Sequence, residues 1–155
     1  MKLTKKSVKR FKIPLPVFEK PKKKLKEKKI KGKKVKTRSQ LKKLADKLFS
    51  LLIRQRGACE MCGSKKNLQV AHVISRSNLH LRFACDNALC LCKGCHMFKW
   101  HKEPLSSLLW FEGVYPKEYK YLLKEKDTIE PNMDYGKIII SLKKSLTIGE
   151  KCGKK

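Results

Sequence analysis

The chain has 155 residues and a formal net charge of +27 at pH 7, with 40 lysines and arginines against 13 acidic residues. This charge is too high for an ordinary soluble enzyme of this size, and it indicates that the protein binds a polyanion. Nucleic acid is the first candidate partner, and a membrane surface or a merely solubilising tail are the alternatives. No apolar run approaches the roughly 20 residues of a membrane span, and no secretory signal is evident. We therefore expect a cytoplasmic protein without membrane contact.

Residues 1–37 are predicted to form a disordered basic arm. Half of the chain's lysines and arginines fall within the first 44 residues, with only two acids, Glu19 and Glu27. Self-repulsion and the lack of apolar periodicity argue against packing there. We predict that the arm binds DNA phosphates with salt-dependent affinity, although a solvated tail or a localisation signal would have the same composition. The candidate DNA contacts in the arm are Lys22, Lys23, Lys24, Lys33 and Lys34.

A helix is predicted from about residue 39 to residue 56. Ser39 is its candidate N-cap, and Gly57 suits its C-terminal end. Leucines at three- and four-residue spacing form one apolar stripe, which we expect to face the core, with a dimer seam as the alternative. The stripe consists of Leu41, Leu44, Leu48, Leu51 and Leu52.

Two Cys-x-x-Cys pairs, Cys59/Cys62 and Cys92/Cys95, predict a zinc site. Thiolates three residues apart on a tight turn bind one side of an ion, and two such pairs complete a tetrahedron. Four thiolates close the site, so the predicted zinc is structural. With no secretory signal, this pattern favours zinc over disulfides. The remaining cysteines are expected to be small buried or free thiols: Cys85, Cys90 and Cys152.

The segment between the cysteine pairs is predicted to fold as strand, strand, helix. Leu68–Ile74 is the first strand, Phe83–Leu91 the second extended segment, and Lys93–Lys99 a short helix. His72 in the first strand has three interpretations. It is a substitute zinc ligand, an ordinary half-buried strand histidine, or a general base, since a neutral imidazole can accept a proton from water.

Three further elements are expected after residue 103. Prolines at 104 and 116 suit the first turns of two helices, and the apolar segment 138–146 fits either a helix or a strand. The chain is thus divided into a basic arm (1–37), a zinc-stapled domain with its leading helix (38–103) and a helical extension (104–155).

The order His72, Asn87, His96 around the second cysteine pair resembles the HNH nuclease motif, whose strand–strand–helix unit is called the ββα-metal fold. The resemblance implies a small α+β, zinc-stapled HNH domain with flanking helices and the basic arm. It also implies His72 as the base that activates water, Asn87 as its orienter, and His96 as a ligand of a catalytic cation, Mg²⁺ or Mn²⁺, separate from the zinc. Such a cation offsets charge on the phosphate.

A narrower similarity covers about residues 39–100. The segments 43–56 (KLADKLFSLLIRQR) and 71–83 (AHVISRSNLHLRF), followed by Asp86–Asn87 and the second cysteine pair, are similar to the phage NinG (Rap) recombination nucleases. This similarity implies cleavage of branched DNA and a 5′-phosphate product. Arg76 and Arg82 become candidate phosphate clamps, with solvated loop arginines as the alternative.

Two positions depart from these families. Many HNH enzymes place a metal ligand just before the base, where this chain has Ala71, so the cation's shell is undefined. His101 is a candidate helper, five residues after His96, although a four-residue spacing would share a helix face more cleanly. Position 96 is His where the NinG pattern is expected to have Asn.

These observations predict a metal-dependent DNA endonuclease that acts on branched recombination intermediates, with homing or packaging HNH enzymes as the runner-up. A homodimer would suit two coordinated cuts. The rival from another class is a non-catalytic zinc module that binds DNA or RNA. It would share the charge and the four cysteines, but it does not require His72, Asn87 and His96 together.

Overall fold

The computed structural model describes residues 36–149 and Cys152. The predicted basic arm therefore lies outside the described residues, apart from its last two positions. The same holds for all five of its candidate DNA contacts: Lys22, Lys23, Lys24, Lys33 and Lys34.

A two-stranded antiparallel sheet forms the centre of the described chain. Its strands are β1 (Leu68–His72) and β2 (Ala88–Cys92), in a register that sets His72 opposite Ala88. The second strand is shorter than predicted, because residues 85–87 form a 3₁₀ turn in which the Asn87 amide bonds the Ala84 carbonyl at 3.2 Å. Together with the helices around it, this sheet confirms the mixed α+β class.

The leading helix, α1 (Arg38–Arg54), is confirmed, but its predicted N-cap is wrong. Thr37, not Ser39, accepts a hydrogen bond from the Gln40 amide, and the Gln40 side chain accepts one from the Thr37 amide. Thr37 is the cap because Gln40, three residues later, can accept a hydrogen bond from the Thr37 amide, whereas the residue three positions after Ser39 is a lysine. After the helix, Gly57 has a φ of +84°, a left-handed conformation in which a side chain is strained.

The core face of α1 is rotated from the predicted leucine stripe. Leu51 is 40% exposed, and the earlier leucines are only partly buried. The helix packs against both strands and against the helix of residues 135–148. The face of α1 that makes these contacts, rather than the leucine stripe, is buried in the core. The buried side chains of α1 are Ala45, Phe49, Leu52 and Ile53.

Three helices follow the sheet: α2 (Pro104–Val114), α3 (Pro116–Glu125) and α4 (Tyr135–Ile148). Prolines occupy the first turns of α2 and α3 as predicted. The segment whose class was open is helical, and an N-cap at Asp134 and a left-handed Gly149 bound it. Phe111 and Leu122 of these helices are buried in one cluster with β2. Among the described helices, none has the length and apolar character needed to cross a membrane.

Two of the cysteines predicted as free thiols are joined. Cys85 and Cys152 form a disulfide with a Cα–Cα distance of 5.7 Å, so the prediction for these two residues is wrong. The pairing fastens Cys152 to the 3₁₀ turn that precedes β2. The two cysteines lie 67 positions apart in sequence, so no local pattern indicated this pairing.

Candidate functional site

The four cysteines of the two Cys-x-x-Cys pairs come together in one cluster. Their sulfur atoms all lie within 4.8 Å of one another, and the Sγ atoms of Cys62 and Cys92 are 3.6 Å apart. With Zn–S bonds of about 2.3 Å, a tetrahedral site has sulfur–sulfur edges of about 3.8 Å. The cluster therefore can hold a metal ion such as zinc, as the spacing predicted.

Backbone hydrogen bonds shape the tight turn of the first cysteine pair, Cys59/Cys62, which we call the first knuckle. The Cys59 amide bonds the Ser64 carbonyl at 2.8 Å, and the Gly63 amide bonds the Cys59 carbonyl at 2.8 Å. Gly63 has a φ of +72°, which lets the chain turn back under the thiols. Burial opposes a charged Cys59 sulfur, but backbone hydrogen bonds outweigh it and lower the pKa of Cys59 to about 7. The backbone thus favours at Cys59 the thiolate form that binds metal. At Cys62 a backbone hydrogen bond with Ser64 lowers the pKa, but side-chain hydrogen bonds with Cys59 and Cys92 raise it above its ordinary value.

Cys90 stays outside this cluster. It is fully buried against α1, and burial, followed by the charge of Glu60, raises the pKa of its thiol to about 11. Cys90 therefore behaves as a small core residue, and Cys92 with Cys95 forms the second half of the metal site, as predicted.

A part-buried ion pair that the sequence did not predict supports the turn of the first cysteine pair, Cys59/Cys62. The Arg56 guanidinium bonds the Glu60 carboxylate at 2.5 Å and donates to the Ala88 carbonyl at 2.8 Å. Glu60 also accepts bonds from the Cys90 amide at 2.7 Å and the Tyr115 hydroxyl at 2.8 Å. The only sequence signal was the four-residue spacing of Arg56 and Glu60 across Gly57. The pair joins the knuckle to β2 and to the start of α3.

His72 lies at the end of β1, half-buried beside the Phe49 ring. Its Nε2 is 3.1 Å from the Arg82 carbonyl oxygen, which can only accept, so Nε2 carries the proton. Nδ1 is then the unprotonated, basic nitrogen. Burial lowers the pKa of His72 below 6.5, against the hydrogen bond to Arg82 but with help from the charge of Arg76. His72 is therefore neutral at physiological pH.

Asn87 is fully buried and holds the loop that follows β1. Its Nδ2 donates to the carbonyls of Ile74 and Leu81, both at 3.0 Å, and its Oδ1 accepts from the Ile74 amide at 2.6 Å. One side chain thus ties together the two ends of the segment that carries Arg76. The structure thus shows Asn87 holding this loop, and its role as the orienter of His72 stays a prediction.

His96 and His101 meet on one side of a π-helical turn. Residues 95–100 form this turn, and the His101 amide bonds the His96 carbonyl at 3.2 Å, five residues back. The wider π turn brings the i+5 residue to the face that i+4 occupies in an α-helix. The Nε2 atoms of the two rings lie 3.1 Å apart, so the spacing that argued against His101 is the one that pairs it with His96.

Gln69 fixes the orientation of the His96 ring. Its Oε1 lies 2.8 Å from His96 Nδ1 and accepts the proton there, which leaves the His96 Nε2 lone pair facing His101. Gln69 and Ala71 share one face of β1, because side chains alternate along a strand. Ala71 is buried in the core. Many HNH enzymes place a metal ligand where this chain has Ala71. Two residues earlier, on the same face of β1, the Gln69 side-chain amide instead orients His96.

One cleft of about 510 Å³ contains the candidate catalytic residues except Asn87. Its polar lining includes His72, Arg76, His96 and His101, and Trp100 forms part of its wall. The Trp100 indole donates to the His72 carbonyl at 3.2 Å, which ties the π-helical turn to β1. A neutral imidazole, a pair of imidazoles and a guanidinium thus face the same space.

The two candidate phosphate clamps have different environments. Arg76 is exposed at the cleft. Arg82 is only 6% exposed, and its guanidinium forms a two-point ion pair with Asp46, at 3.0 and 2.7 Å, and donates to the Arg76 carbonyl. The phosphate role predicted for Arg82 is therefore wrong: the residue fastens the loop to α1. Arg76 stays a candidate phosphate ligand.

Comparison with known proteins identifies no relative: no family model, no curated protein and no solved structure matches this chain. The resemblance to HNH and NinG nucleases therefore rests on the sequence motifs alone and stays a prediction.

Proposed function

We propose that this chain is a metal-dependent endonuclease of the HNH type that hydrolyses DNA phosphodiesters. The supporting observation is the shared cleft, which brings His72, Arg76, His96 and His101 together. In an HNH domain, β1, β2 and the helical turn after β2 would form the ββα unit, and the four cysteines would staple its ends. The similarity to NinG nucleases adds branched recombination intermediates as the favoured substrate.

His72 acts as the general base in this proposal. Its Nε2–H is engaged by the Arg82 carbonyl, so Nδ1 can accept a proton from a water that attacks the phosphorus. Asn87 holds the loop that supplies that carbonyl and also carries Arg76. The Arg76 guanidinium binds non-bridging oxygens of the phosphate and orients it in the cleft.

His96 and His101 would hold the catalytic cation. Their Nε2 atoms are 3.1 Å apart, so both nitrogens could bind one ion. A cation held there would offset negative charge on the phosphate and on the leaving oxygen. Imidazole is a better ligand for transition-metal ions than for Mg²⁺, so of the two predicted cations Mn²⁺ would be the better fit.

Cleavage of labelled DNA by wild type and His72→Ala tests the proposed function. General bases contribute about 10²- to 10⁴-fold, and we expect a loss of that size in His72→Ala with zinc content unchanged. His80→Ala is the matched control, because His80 pairs with Glu125 away from the cleft. Wild-type cleavage should also fall as the pH drops through the lowered pKa of His72, below 6.5, where the base becomes protonated.

Branched and linear duplexes would be compared side by side with Mn²⁺ and Mg²⁺. Preferential cutting of branched DNA supports the NinG-like substrate, and equal cutting supports a homing or packaging type. If zinc-loaded wild type binds DNA but cuts neither substrate with either cation, the nuclease proposal is wrong and the chain is a zinc-stabilised DNA-binding module.

Replacing Gln69 with alanine is expected to weaken cation binding rather than the chemical step. Supporting residues of this kind contribute roughly 10- to 100-fold to metal affinity or activity. The Mn²⁺ concentration for half-maximal cleavage should rise by that factor, while the rate at saturating Mn²⁺ stays near wild type. Gln69→Glu keeps an acceptor for the His96 Nδ1 proton and should restore the affinity. An unchanged Mn²⁺ requirement in Gln69→Ala would exclude this orienting role.

A further inference from the structure

A row of polar and basic side chains runs along one face of α1. Lys43, Lys47, Ser50 and Arg54 follow one another at spacings of four, three and four residues, which keep them on one side of the helix. The three basic members are all exposed, and the face that packs into the core is a different one. Neither the zinc site nor the proposed cleft uses this row.

The row ends at a second cleft beside His72. This cleft has a volume of about 180 Å³, and its lining includes Ser50, Arg54, His72 and Arg76. The Arg54 Nε donates to the Ser50 carbonyl at 3.1 Å, which directs the Arg54 side chain back along the row. His72 and Arg76 line both clefts, so the row of α1 continues into the proposed catalytic space.

The charge of this second cleft is positive. Asp46 is the acidic residue in its lining, and the two-point ion pair with Arg82 already neutralises that carboxylate. Arg54 and Arg76 remain as cationic groups on either side of His72. An anionic chain can therefore pass from α1 to His72 without meeting an unpaired carboxylate in this lining.

We infer that the row Lys43, Lys47 and Arg54 binds the backbone of double-stranded DNA on one side of the phosphate that faces His72. The eleven helical steps from Lys43 to Arg54 span about 16 Å, which corresponds to roughly five base pairs of 3.4 Å rise. Three cations over that length fit successive contacts to one strand's phosphates. That the phosphate facing His72 is cleaved rests on the proposed function. Binding of DNA by the α1 row does not depend on it.

A second basic row on the same chain provides the matched control. Lys117, Lys120 and Lys124 of α3 are exposed at three- and four-residue spacing, and they line neither cleft beside His72. The two rows have the same charge and the same helical context. If only net charge mattered, both rows would contribute equally to DNA binding.

The test measures binding of a labelled 30-base-pair duplex by the full chain across a range of salt concentrations. His72→Ala serves as the parent, so that cutting does not interfere, and each row is changed to three glutamines, which keep helix propensity. The slope of log K against log salt is negative, and each lost phosphate contact reduces its magnitude by about 0.9. We expect the magnitude of the slope to fall by about 2.7 in the α1 variant, since three contacts are lost, and to stay at the parent value in the α3 variant. Zinc content and melting temperature check that both variants fold.

Equal losses in the two variants, or no loss in the α1 variant, would overturn the inference. Cutting by the wild-type chain separates this result from the nuclease proposal. If wild type cuts DNA and the two rows behave alike in the His72→Ala background, the inference about α1 fails alone. If wild type does not cut but the α1 row accounts for about three contacts, the inference about α1 stands and the nuclease proposal fails.

Discussion

Cys62→Ser is expected to abolish zinc binding by the four-cysteine cluster and to unfold the domain at 25 °C. Binding of a structural zinc contributes roughly 10–16 kcal/mol in small zinc-finger peptides, while whole domains are stable by only about 5–15 kcal/mol. Cys62 is exposed, so its replacement creates no cavity and buries no new polar group. Any large loss then reports on the metal. Zinc stoichiometry and thermal unfolding followed by circular dichroism measure both effects.

Cys90→Ala is the matched control for the zinc site. Cys90 is fully buried, yet it lies outside the four-sulfur cluster. We expect this variant to keep one zinc per chain and to lose only about 1–2 kcal/mol from the small cavity. If only the burial of the replaced side chain mattered, Cys90→Ala would lose more stability than Cys62→Ser, and we expect the reverse. Should Cys62→Ser retain its zinc and melt like wild type, the four-thiolate site would be wrong.

Features that depend on short sequence spacings could be predicted from this sequence. The two Cys-x-x-Cys pairs form the predicted cluster, because each pair is a local turn and metal geometry permits few arrangements of four thiols. Helix α1 was predicted within two residues, because apolar periodicity is local. Its cap was missed because Thr37 and Ser39 are both good caps, and only the return bond from Gln40 decides between them.

Features that depend on distant partners could not be predicted. Arg82 fits a phosphate clamp in sequence, but its partner Asp46 lies 36 residues earlier on another element. The partner of Cys85 lies 67 residues later. The pairing of His101 with His96 was not expected, because α-helical spacing places residues i and i+5 on different faces. No short sequence pattern predicted the π-helical turn that brings them together. In each case tertiary packing decided which group a side chain meets, and packing is not encoded in a short window.

Asn87→Ala is expected to destabilise the chain by roughly 3–6 kcal/mol while zinc stays bound. The substitution leaves the Ile74 amide, the Ile74 carbonyl and the Leu81 carbonyl without their partner. An unsatisfied buried group costs about 1–3 kcal/mol, and the two Ile74 groups are only part-buried, so their cost lies in the lower part of that range. Urea unfolding measures this loss. If the nuclease proposal is right, cleavage should fall as well, because the loop carries Arg76 and the carbonyl that holds His72.

Asn87→Asp separates hydrogen bonding from packing at the same site. Aspartate has nearly the same shape and can still accept from the Ile74 amide, but an ionised carboxylate offers no donor to the two carbonyls. Its second oxygen would face both carbonyl oxygens in a buried space, which adds repulsion to the lost bonds. We therefore expect Asn87→Asp to be at least as destabilising as Asn87→Ala at pH 7, and less so at low pH, where the protonated acid regains one donor. Wild-type stability in Asn87→Asp would mean that the loop is held by packing alone, and the positioning of His72 would then need another cause.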